Sequence, residues 1–265
     1  MKKYVVIGNP IEHSLSPKLH NFWIKSNSIK AIYSKEKVLK DNLKHIVDKL
    51  RNKKLYGINV TVPHKTEIIP YVDELTNEAQ HTQSVNTIFE RSGKIIGHNT
   101  DIAGFDLSLR HAKLNLKNKK VLILGAGGVS PSLIYALKNH ETQEIAISNR
   151  TYSKAEEIKN KFNEVKIIEW EEFYDFDLII NATSLGLNFK DKIKIDHKKL
   201  KPNKTFYDVI YNPEETNFLR EAKENNHKTQ NGMMMFIYQA HQAFTIWHNI
   251  MPKIDNQLIE LLINE

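Results

Sequence analysis

The chain has 265 residues, of which 40% are hydrophobic and 26% are charged, and its formal net charge is +7. This length accommodates two domains with their own cores, and the composition excludes a chain that is disordered throughout. The chain contains no cysteine, which excludes a disulfide scaffold, a thiolate metal site and a thiol nucleophile, and which fits a reducing compartment. The apolar runs are shorter than a transmembrane helix or a signal peptide requires, so we expect a cytoplasmic protein.

The positive net charge has two interpretations. It would attract an anionic partner such as a nucleic acid, a membrane surface or an acidic small molecule, or it belongs to a lysine-rich solvated surface. Lysines and acidic residues are interspersed along the chain, which favours the second interpretation. The sequence has no aromatic-and-basic nucleic-acid motif, and its 12 histidines form no metal-ligand pattern. We therefore expect no nucleic-acid partner, no membrane partner and no catalytic metal.

Short β-like runs alternate with helical patterns along the chain, which indicates an α/β architecture. The predicted strands are Tyr4–Ile7, Ile32–Val38, Gly57–Val60, Val85–Glu90, Lys120–Leu124, Glu144–Ser148, Val165–Ile168, Leu178–Asn181, Thr205–Asp208 and a short one near Thr229. The predicted helices include Pro17–Lys25, Leu39–Lys49, Ser132–Lys138, Thr151–Phe162, Glu214–Glu224, Met233–His248 and Asp255–Asn264. The polar, lysine-rich stretch Leu109–Lys119 is a candidate domain boundary.

Three polar segments in the first half of the chain are candidates for binding. Each follows a β-like run and is more polar than a simple connection requires. They are His13–Pro17, Asn59–Lys65 and Asn99–Asp101. Ser16 before a proline is typical of a helix N-cap, an interpretation that leaves Ser14 unexplained.

Lys65 is the most informative residue of these segments. Pro63 predicts a helix start, which would place Lys65 in a first turn, where the helix dipole disfavours a cation. The ordinary alternatives are a surface lysine and, for Asp101, a helix N-cap. A Lys65–Asp101 pair would instead provide a proton donor and acceptor beside a carbinol carbon. Late in the chain, Gln239 lies beside an apolar stripe, where it would contact a substrate hydroxyl or form the polar edge of a helix.

A strand, a glycine-rich turn and a helix follow one another from Lys120 to Lys138. The strand is followed by Gly125-Ala-Gly-Gly128, and the third small position falls at Ser130. Glycines let the backbone approach a pyrophosphate closely, and the helix N-terminus presents free N–H groups to it. The alternative is an ordinary strand-to-helix turn. The pattern favours a dinucleotide site.

The end of the next strand indicates which dinucleotide is bound. Enzymes of this architecture that use NAD usually carry an acidic residue here, which holds the ribose 2′-hydroxyl. This chain has Asn149-Arg-Thr151 instead, with Lys154 one turn further on. A cation near a helix N-terminus is unfavourable unless an anion binds there. Arg150 therefore favours NADP, although a solvent-facing arginine is the simpler alternative.

Taken in order, these segments resemble the shikimate dehydrogenase family over nearly the whole chain. The residues that carry the resemblance are Ser14–Pro17, Asn59–Lys65, Val85–Thr87, Asn99–Asp101, Gly125–Gly128, Asn149–Thr151, Asn181–Ser184, Tyr207–Pro213 and Gln239-Ala240 followed by Ala243-Phe244.

The resemblance implies an N-terminal α/β substrate domain and a Rossmann-like dinucleotide-binding domain, with C-terminal helices returning to the first domain. We expect the substrate domain over residues 1–103, completed by 236–265, and the NADP domain over 104–235. The implied activity is the reversible reduction of 3-dehydroshikimate to shikimate with NADPH, by a monomer or homodimer. The alternatives are a quinate/shikimate dehydrogenase of broader specificity and a non-catalytic NADP-binding regulator.

The resemblance also implies roles for individual residues. Lys65 and Asp101 would be the catalytic pair. The substrate would be held by Ser14, Ser16, Thr61, Asn86, Asp101, Tyr211 and Gln239. The cofactor would be held by Gly125, Ala126, Gly127, Gly128, Asn149, Arg150, Thr151, Thr183, Val209 and Gly232.

The sequence departs from the family's usual pattern at three places. Ile102 follows Asp101 where the family commonly has glycine, and a β-branched residue does not readily adopt a positive φ. Pro131-Ser132 replaces the more usual small or basic pair after the glycine turn. The run Met233–Met235 is richer in methionine than usual, and Met235 would pack near the nicotinamide or in the core.

Overall fold

The structure is a computed structural model that describes residues 1–172, 175–188 and 190–263. The chain divides into two compact units. The first comprises Met1–Gly104 together with the chain from Ile237 onward, and the second comprises Phe105–Phe236. The polar stretch Leu109–Lys119 is therefore not a boundary, because it lies within the second unit, where Leu109 is fully buried.

A mixed sheet forms the centre of the first unit. Its strands are β1 (Lys2–Gly8), β2 (Ala31–Lys37), β3 (Gly57–Val60), β4 (Glu74–Leu75), β5 (Thr87–Arg91) and β6 (Lys94–His98). Among the described residues the strand order is β2-β1-β3-β5-β6-β4. Strand β1 is parallel to β2 and β3, whereas β5 is antiparallel to β3 and β6. The ends of β1, β3 and β6 and the start of β5 therefore lie at one edge of the sheet.

Helices flank this sheet on both faces. They are α1 (Ser16–Ser26), α2 (Leu43–Arg51), α3 (Asn77–Thr82), the first residues of α4 (Asp101–His111), the later part of α8 (Met233–His248) and α9 (Asn256–Ile263). The C-terminal helices thus return to the first unit as predicted. Helix α2 begins later than predicted because a 3₁₀ turn, Lys40–Asn42, precedes it. The predicted end of the last helix, Asn264, lies outside the described residues.

The alternating side chains of β1 pack in two different layers. Val5 and Ile7 are buried against a purely aliphatic cluster that includes residues of α2. Tyr4 points to the opposite face, into an aromatic layer with Trp247 at 5.2 Å between ring centroids. In the same layer the ring of His20 stacks on Tyr33 at 4.1 Å. Burial lowers the pKa of His20 to about 3, so this ring is neutral at neutral pH.

The second unit contains an all-parallel sheet. Its strands are β7 (Lys120–Leu124), β8 (Glu144–Ser148), β9 (Lys166–Ile167), β10 (Leu178–Asn181), β11 (Thr205–Asp208) and β12 (Lys228–Gln230). Over the described residues their order is β12-β11-β10-β7-β8-β9. The order reverses between β7 and β10, the position at which ligands bind in sheets of this kind. This is the predicted Rossmann-like topology.

Hydrophobic runs explain the burial of this sheet. The strands β7 and β10 are buried on both faces, as is typical of parallel strands covered by helices. The helices of this unit are α5 (Ser130–Lys138), α6 (Tyr152–Lys161), α7 (Asn217–Glu224), the later part of α4 and the start of α8. In the part of the chain that the structure describes, no helix is long and apolar enough to cross a membrane.

Gly57, at the start of β3, lies against the indole ring of Trp247. A methyl group added at Gly57 would meet Cε2 and Nε1 of this ring at 2.4 Å. We expect Gly57→Ala to lower the free energy of unfolding by about 1–3 kcal/mol, the usual cost of overpacking, in a urea titration. The smaller ring of Trp247→Phe relieves the clash, so Gly57→Ala costs less in that background. An equal loss in both backgrounds contradicts this explanation.

Candidate active site

One edge of the sheet in the first unit collects the polar segments singled out in the sequence. The loop after β1 carries Ser14 and Ser16, and the turn after β3 carries Thr61 and Lys65. Asn86 immediately precedes β5, and Asp101 lies shortly after β6. These segments are far apart in sequence and meet because β5 runs antiparallel to both β3 and β6.

Lys65 and Asp101 form an ion pair at this edge. The Nζ atom of Lys65 donates a hydrogen bond to Oδ2 of Asp101 at 2.6 Å, and the two side chains are 13% and 7% exposed. A pair with so little water around it is held strongly only when its remaining hydrogen-bonding groups are also satisfied. The side chain of Asp101 therefore does not serve as a helix cap, since it bonds Lys65 and Asn86 instead.

The segment that carries Lys65 is a turn, so the predicted helix start at Pro63 is wrong. The backbone carbonyl of Lys65, which a helix would use internally, accepts a hydrogen bond from Val85 N at 2.8 Å. The N–H of Ile69 bonds to Thr66 instead. A 3₁₀ turn begins only at Ile69. The argument from the helix dipole therefore does not apply to Lys65, and the ion pair with Asp101 is what defines its environment.

Asn86 is the residue that orients Asp101. Its Nδ2 atom donates to Asp101 Oδ1 at 2.8 Å and to Thr100 Oγ1 at 2.9 Å. Its Oδ1 atom accepts from Thr100 N at 2.8 Å. The side chain is 3% exposed. Because each end of the amide bonds the segment that leads into α4, Asn86 holds the carboxylate in one orientation.

Asn99 links the start of α4 to the segment before β5 with the two ends of its side-chain amide. Its Oδ1 atom accepts from Asp101 N at 3.0 Å, and its Nδ2 atom donates to Ser84 O at 3.0 Å. Helix α4 begins at Asp101 itself, so Ile102 is helical and needs no positive φ. The glycine usual in the family at this position is therefore not required by the backbone of this chain.

Sequence reasoning missed a second layer behind the pair. Asn59 donates from Nδ2 to the carbonyl of Asn86 and to Thr87 Oγ1, both at 3.0 Å, and its Oδ1 accepts from the hydroxyl of Tyr33 at 2.6 Å. Thr87 in turn donates to Asn86 Oδ1 at 3.1 Å. Asn59 is the first residue of the polar segment Asn59–Lys65, but the sequence does not reveal its role. That role depends on the pairing of Asn59 with Thr87 between β3 and β5, which is not local in sequence.

His64, the neighbour of Lys65, anchors the turn. Its Nε2 atom lies 2.8 Å from the Val38 carbonyl and its Nδ1 atom lies 2.9 Å from Glu67 Oε2. A carbonyl only accepts, and hydrogen bonds from His64 and Lys40 lower the pKa of Glu67, which keeps its carboxylate an acceptor too. These two contacts hold the ring of His64 between Val38 and Glu67 and so fix the turn that carries Lys65.

The remaining predicted substrate residues are distributed over both units. Ser14 Oγ accepts from Ser16 N at 3.3 Å. The N-cap position of α1 is occupied by Leu15, so Ser16 is not the helix cap. Gln239 belongs to the first unit on α8, whereas Tyr211 belongs to the second unit, where its ring stacks on Phe236 at 4.2 Å.

The glycine turn after β7 has the geometry that a pyrophosphate requires. Gly125 has φ +107°, which favours glycine, and a Cβ on Gly127 would meet nothing within 4 Å. Gly128 completes the turn, and α5 begins at Ser130. The Ser130 hydroxyl donates to the Gly125 carbonyl at 2.8 Å, which explains a serine at the third small position. The open space beside Gly127, before the N-terminus of α5, fits a phosphate.

Asn149 connects this turn to the end of β8. Its Oδ1 atom accepts from Ala126 N at 3.0 Å, and its Nδ2 atom donates to Thr151 O at 2.8 Å. Arg150 lies between them with an exposed side chain, and Thr151 occupies the N-cap position of α6. Arg150 therefore directly precedes the N-terminus of α6 and follows the asparagine that bonds the glycine turn, a position where a 2′-phosphate would balance its charge.

The other predicted cofactor residues lie at the same edge of the second sheet. A Cβ on Gly125 would lie 2.8 Å from Thr183 Cγ2, so the glycine turn packs on the loop after β10. A Cβ on Gly232 would lie 2.2 Å from the Val209 carbonyl oxygen, so only glycine permits that approach. All of these predicted positions follow the carboxyl ends of parallel strands.

Two family models match the chain. A model described as the shikimate dehydrogenase substrate binding domain matches residues 6–88, and one described as shikimate / quinate 5-dehydrogenase matches residues 107–213. A shikimate dehydrogenase (NADP(+)) of Pelagibacter ubique is 55% identical over 261 residues, covering 98% of each chain. That of Methanocaldococcus jannaschii is 40% identical over 262 residues, covering 94% of this chain and 92% of the relative.

Solved structures are similar over the full length of the chain. A shikimate dehydrogenase in complex with NADP+ has a TM-score of 0.89 at 38% identity, covering 100% of this chain and 94% of the other. The Thermus thermophilus enzyme in complex with NADP(H) and shikimate has a TM-score of 0.89 at 30% identity, covering 99% and 98%.

Proposed function

We propose that this chain, which belongs to the shikimate dehydrogenase family, catalyses the reversible NADP-dependent reduction of 3-dehydroshikimate to shikimate in aromatic amino acid biosynthesis. The observation that carries the proposal is the ion pair between Lys65 and Asp101, at 2.6 Å, on the polar edge of the first unit. A proton donor held by a carboxylate is what the reduction of a ketone to an alcohol needs from the protein.

The second unit is the cofactor domain of this proposal. The turn formed by Gly125, Ala126, Gly127 and Gly128 would hold the pyrophosphate of NADP. Arg150, with its neighbours Asn149 and Thr151, would hold the 2′-phosphate, and Thr183, Val209 and Gly232 would hold the nicotinamide half. The open space at Gly127 and the positive φ of Gly125 support this assignment. When bound, NADPH supplies the hydride, and the protein supplies position and a proton.

The first unit is the substrate domain. Ser14 and Ser16 bind the substrate carboxylate with hydroxyl donors, and Thr61, Asn86, Asp101 and Gln239 hold the ring hydroxyls. The first-unit residues other than Gln239 all follow or precede strands at one sheet edge, which supports their acting on one ligand.

Lys65 transfers the proton. In the direction of reduction its ammonium group donates a proton to the ketone oxygen as the carbonyl carbon receives the hydride, and the neutral amine is then reprotonated from solvent. In the reverse direction the neutral amine accepts the hydroxyl proton. Asp101 orients the ammonium group of Lys65, and Asn86 keeps Asp101 in place. Holding both reactants in this geometry lowers the entropic part of the barrier.

We also propose a cytoplasmic enzyme that acts as a monomer or homodimer, with the small-molecule substrate and cofactor as its partners. The absence of cysteine is consistent with a reducing compartment.

Two alternatives differ from this proposal in measurable ways. A broader quinate/shikimate dehydrogenase is consistent with the name of the second family model. A non-catalytic NADP-binding regulator would not need the Lys65–Asp101 pair. The test is NADPH absorbance with and without 3-dehydroshikimate, alongside 3-dehydroquinate. Oxidation with the first substrate alone supports the proposal, oxidation with both supports the broader enzyme, and binding without oxidation supports the regulator.

Lys65→Ala separates chemistry from binding. We expect turnover to fall by about 10²–10⁴-fold, the usual contribution of one positioned proton donor, with a much smaller change in KM. Lys65→Arg does not restore the rate, because arginine keeps its proton near neutral pH. Steady-state kinetics measure both quantities, and Lys94→Ala, at an exposed lysine of the same unit, is the matched control. Near-normal turnover of Lys65→Ala contradicts the mechanism.

Arg150→Asp tests the 2′-phosphate assignment. We expect kcat/KM for NADP to fall at least about tenfold relative to NAD, since a hydrogen bond between charged groups contributes about 1.5–3 kcal/mol. Lys161→Asp, with the same change of charge at the far end of α6, is the control and leaves this ratio unchanged. A loss that is equal for NADP and NAD in Arg150→Asp shows that the guanidinium does not contact the 2′-phosphate.

A further inference from the structure

A buried carboxylate lies at the cofactor edge of the second unit and has no role in the chemistry described above. Asp208 is the last residue of β11 and is 0% exposed. Its Oδ1 atom accepts from Ile210 N at 3.0 Å and from Asn181 Nδ2 at 3.1 Å. Its Oδ2 atom accepts from the hydroxyl of Thr216 at 2.6 Å. Burying a carboxylate is costly, so these three bonds indicate a specific need for it.

Through Asn181 the carboxylate reaches the glycine turn. The Oδ1 atom of Asn181 accepts from Thr183 N at 3.0 Å and from Thr183 Oγ1 at 2.7 Å. Thr183 in turn packs against Gly125, where a Cβ would lie 2.8 Å from its methyl group. The amide of Asn181 is oriented by Asp208, because a carboxylate accepts only from its Nδ2 end. Asp208, together with the Leu185 carbonyl that accepts from the same Nδ2 atom at 2.9 Å, therefore fixes which way Asn181 faces and directs its Oδ1 atom to Thr183.

Through Ile210 and Thr216 the carboxylate holds the loop after β11. The N–H of Val209 bonds to the carbonyl of Asn181 at 3.0 Å, and the N–H of the next residue, Ile210, bonds to Asp208. Val209 presents its carbonyl to Gly232, at a distance that only a glycine permits. Thr216 caps α7 at the far end of this loop. The carboxylate thus ties both ends of the segment that carries Val209.

We propose that Asp208 is a positioning residue of the cofactor site, whose ionised carboxylate holds Thr183 and Val209 in the arrangement that receives the nicotinamide half of NADP(H). This inference rests on the proposed function. Asp208 does not touch the cofactor itself. It acts through Asn181 and through the backbone of the loop after β11.

The charge of Asp208 gives the proposal a pH dependence. Burial raises the pKa of this carboxyl to about 6. The groups that face it, from Asn181, Thr216 and Ile210 N, are neutral. The adjacent Tyr207, whose hydroxyl shares a hydrogen bond with Ser108, is also neutral because burial raises its pKa.

Protonation changes the bond to Thr216. A proton on Oδ2 reverses this bond, so that the Thr216 hydroxyl accepts from the carboxyl as well as from Leu219 N at 3.4 Å. As the pH falls through about 6, Asp208 loses the charge that strengthens all three of its bonds, so we expect the anchored arrangement to weaken and the affinity for the cofactor to fall with it.

The experiment is a fluorescence titration of NADPH without substrate, for the wild type and Asp208→Asn, from about pH 8 to about pH 5. We expect the variant to bind about tenfold more weakly at the high end, and the two proteins to converge at the low end, where Asp208 is protonated. The 2′-phosphate of the cofactor itself titrates near pH 6. The quantity compared is therefore the ratio of the two Kd values at each pH, from which the phosphate cancels.

Three further variants keep the test decisive. Ser108→Ala removes a different buried hydrogen bond of the same unit, so it matches a general loss of stability and leaves the Kd unchanged at every pH. Thr216→Val removes the bond to Oδ2 together with the side-chain cap of α7, while Thr216→Ser keeps both; the first weakens NADPH binding and the second does not. If Asp208→Asn fails to fold, the comparison of Thr216→Val with Thr216→Ser tests the proposal in its place.

A wild-type Kd in Asp208→Asn or in Thr216→Val at the high pH, or a ratio that does not change with pH, overturns the inference. An equal weakening in Ser108→Ala also overturns it, because the effect is then one of general stability. A wild type that does not bind NADPH refutes the proposed function instead. The two failures are therefore distinguishable.

Discussion

The hydrogen bond between Lys65 and Asp101 is the interaction on which the first unit depends. Both groups are charged and almost without contact with water, so each one without the other would be strongly destabilising. The carboxylate is stable there because Asn86 satisfies its second oxygen and because the lysine neutralises it. Asn59 and Tyr33 then fix the segment that carries Asn86. The strand directions of the sheet bring these residues together.

The two units stabilise a buried carboxylate with the same kind of contact. In each, a buried aspartate at a sheet edge accepts a hydrogen bond from an asparagine side chain: Asn86 to Asp101 in the first unit, and Asn181 to Asp208 in the second. The asparagine bonds the next polar segment with the rest of its amide. Asp101 contacts Lys65, for which we propose the proton transfer, whereas Asp208 contacts only the loops to which we assign the cofactor. A rigid amide–carboxylate pair suits both tasks because each residue restricts the orientation of the other.

Local patterns predicted the elements whose signals are local. The hydrophobic run before Gly125 identified β7 and its turn, and the ordered motifs identified the family and with it the Rossmann-like topology of the second unit. The helix predicted at Pro63 was wrong because a non-local partner, Val85 N, occupies the Lys65 carbonyl that a helix would use. The contribution of Asn59 was invisible for the same reason. Its partners are set by the register between two strands, which is not encoded in any short segment.

A double-mutant cycle on Lys65 and Asp101 tests the central claim most directly, with kcat/KM measured for Lys65→Ala, Asp101→Ala and the double variant. If the two side chains act together, removing the second side chain after the first lowers kcat/KM only slightly further. The account therefore predicts a double variant about as slow as the slower single variant. Losses that multiply would show that Lys65 and Asp101 act independently, and would contradict the account.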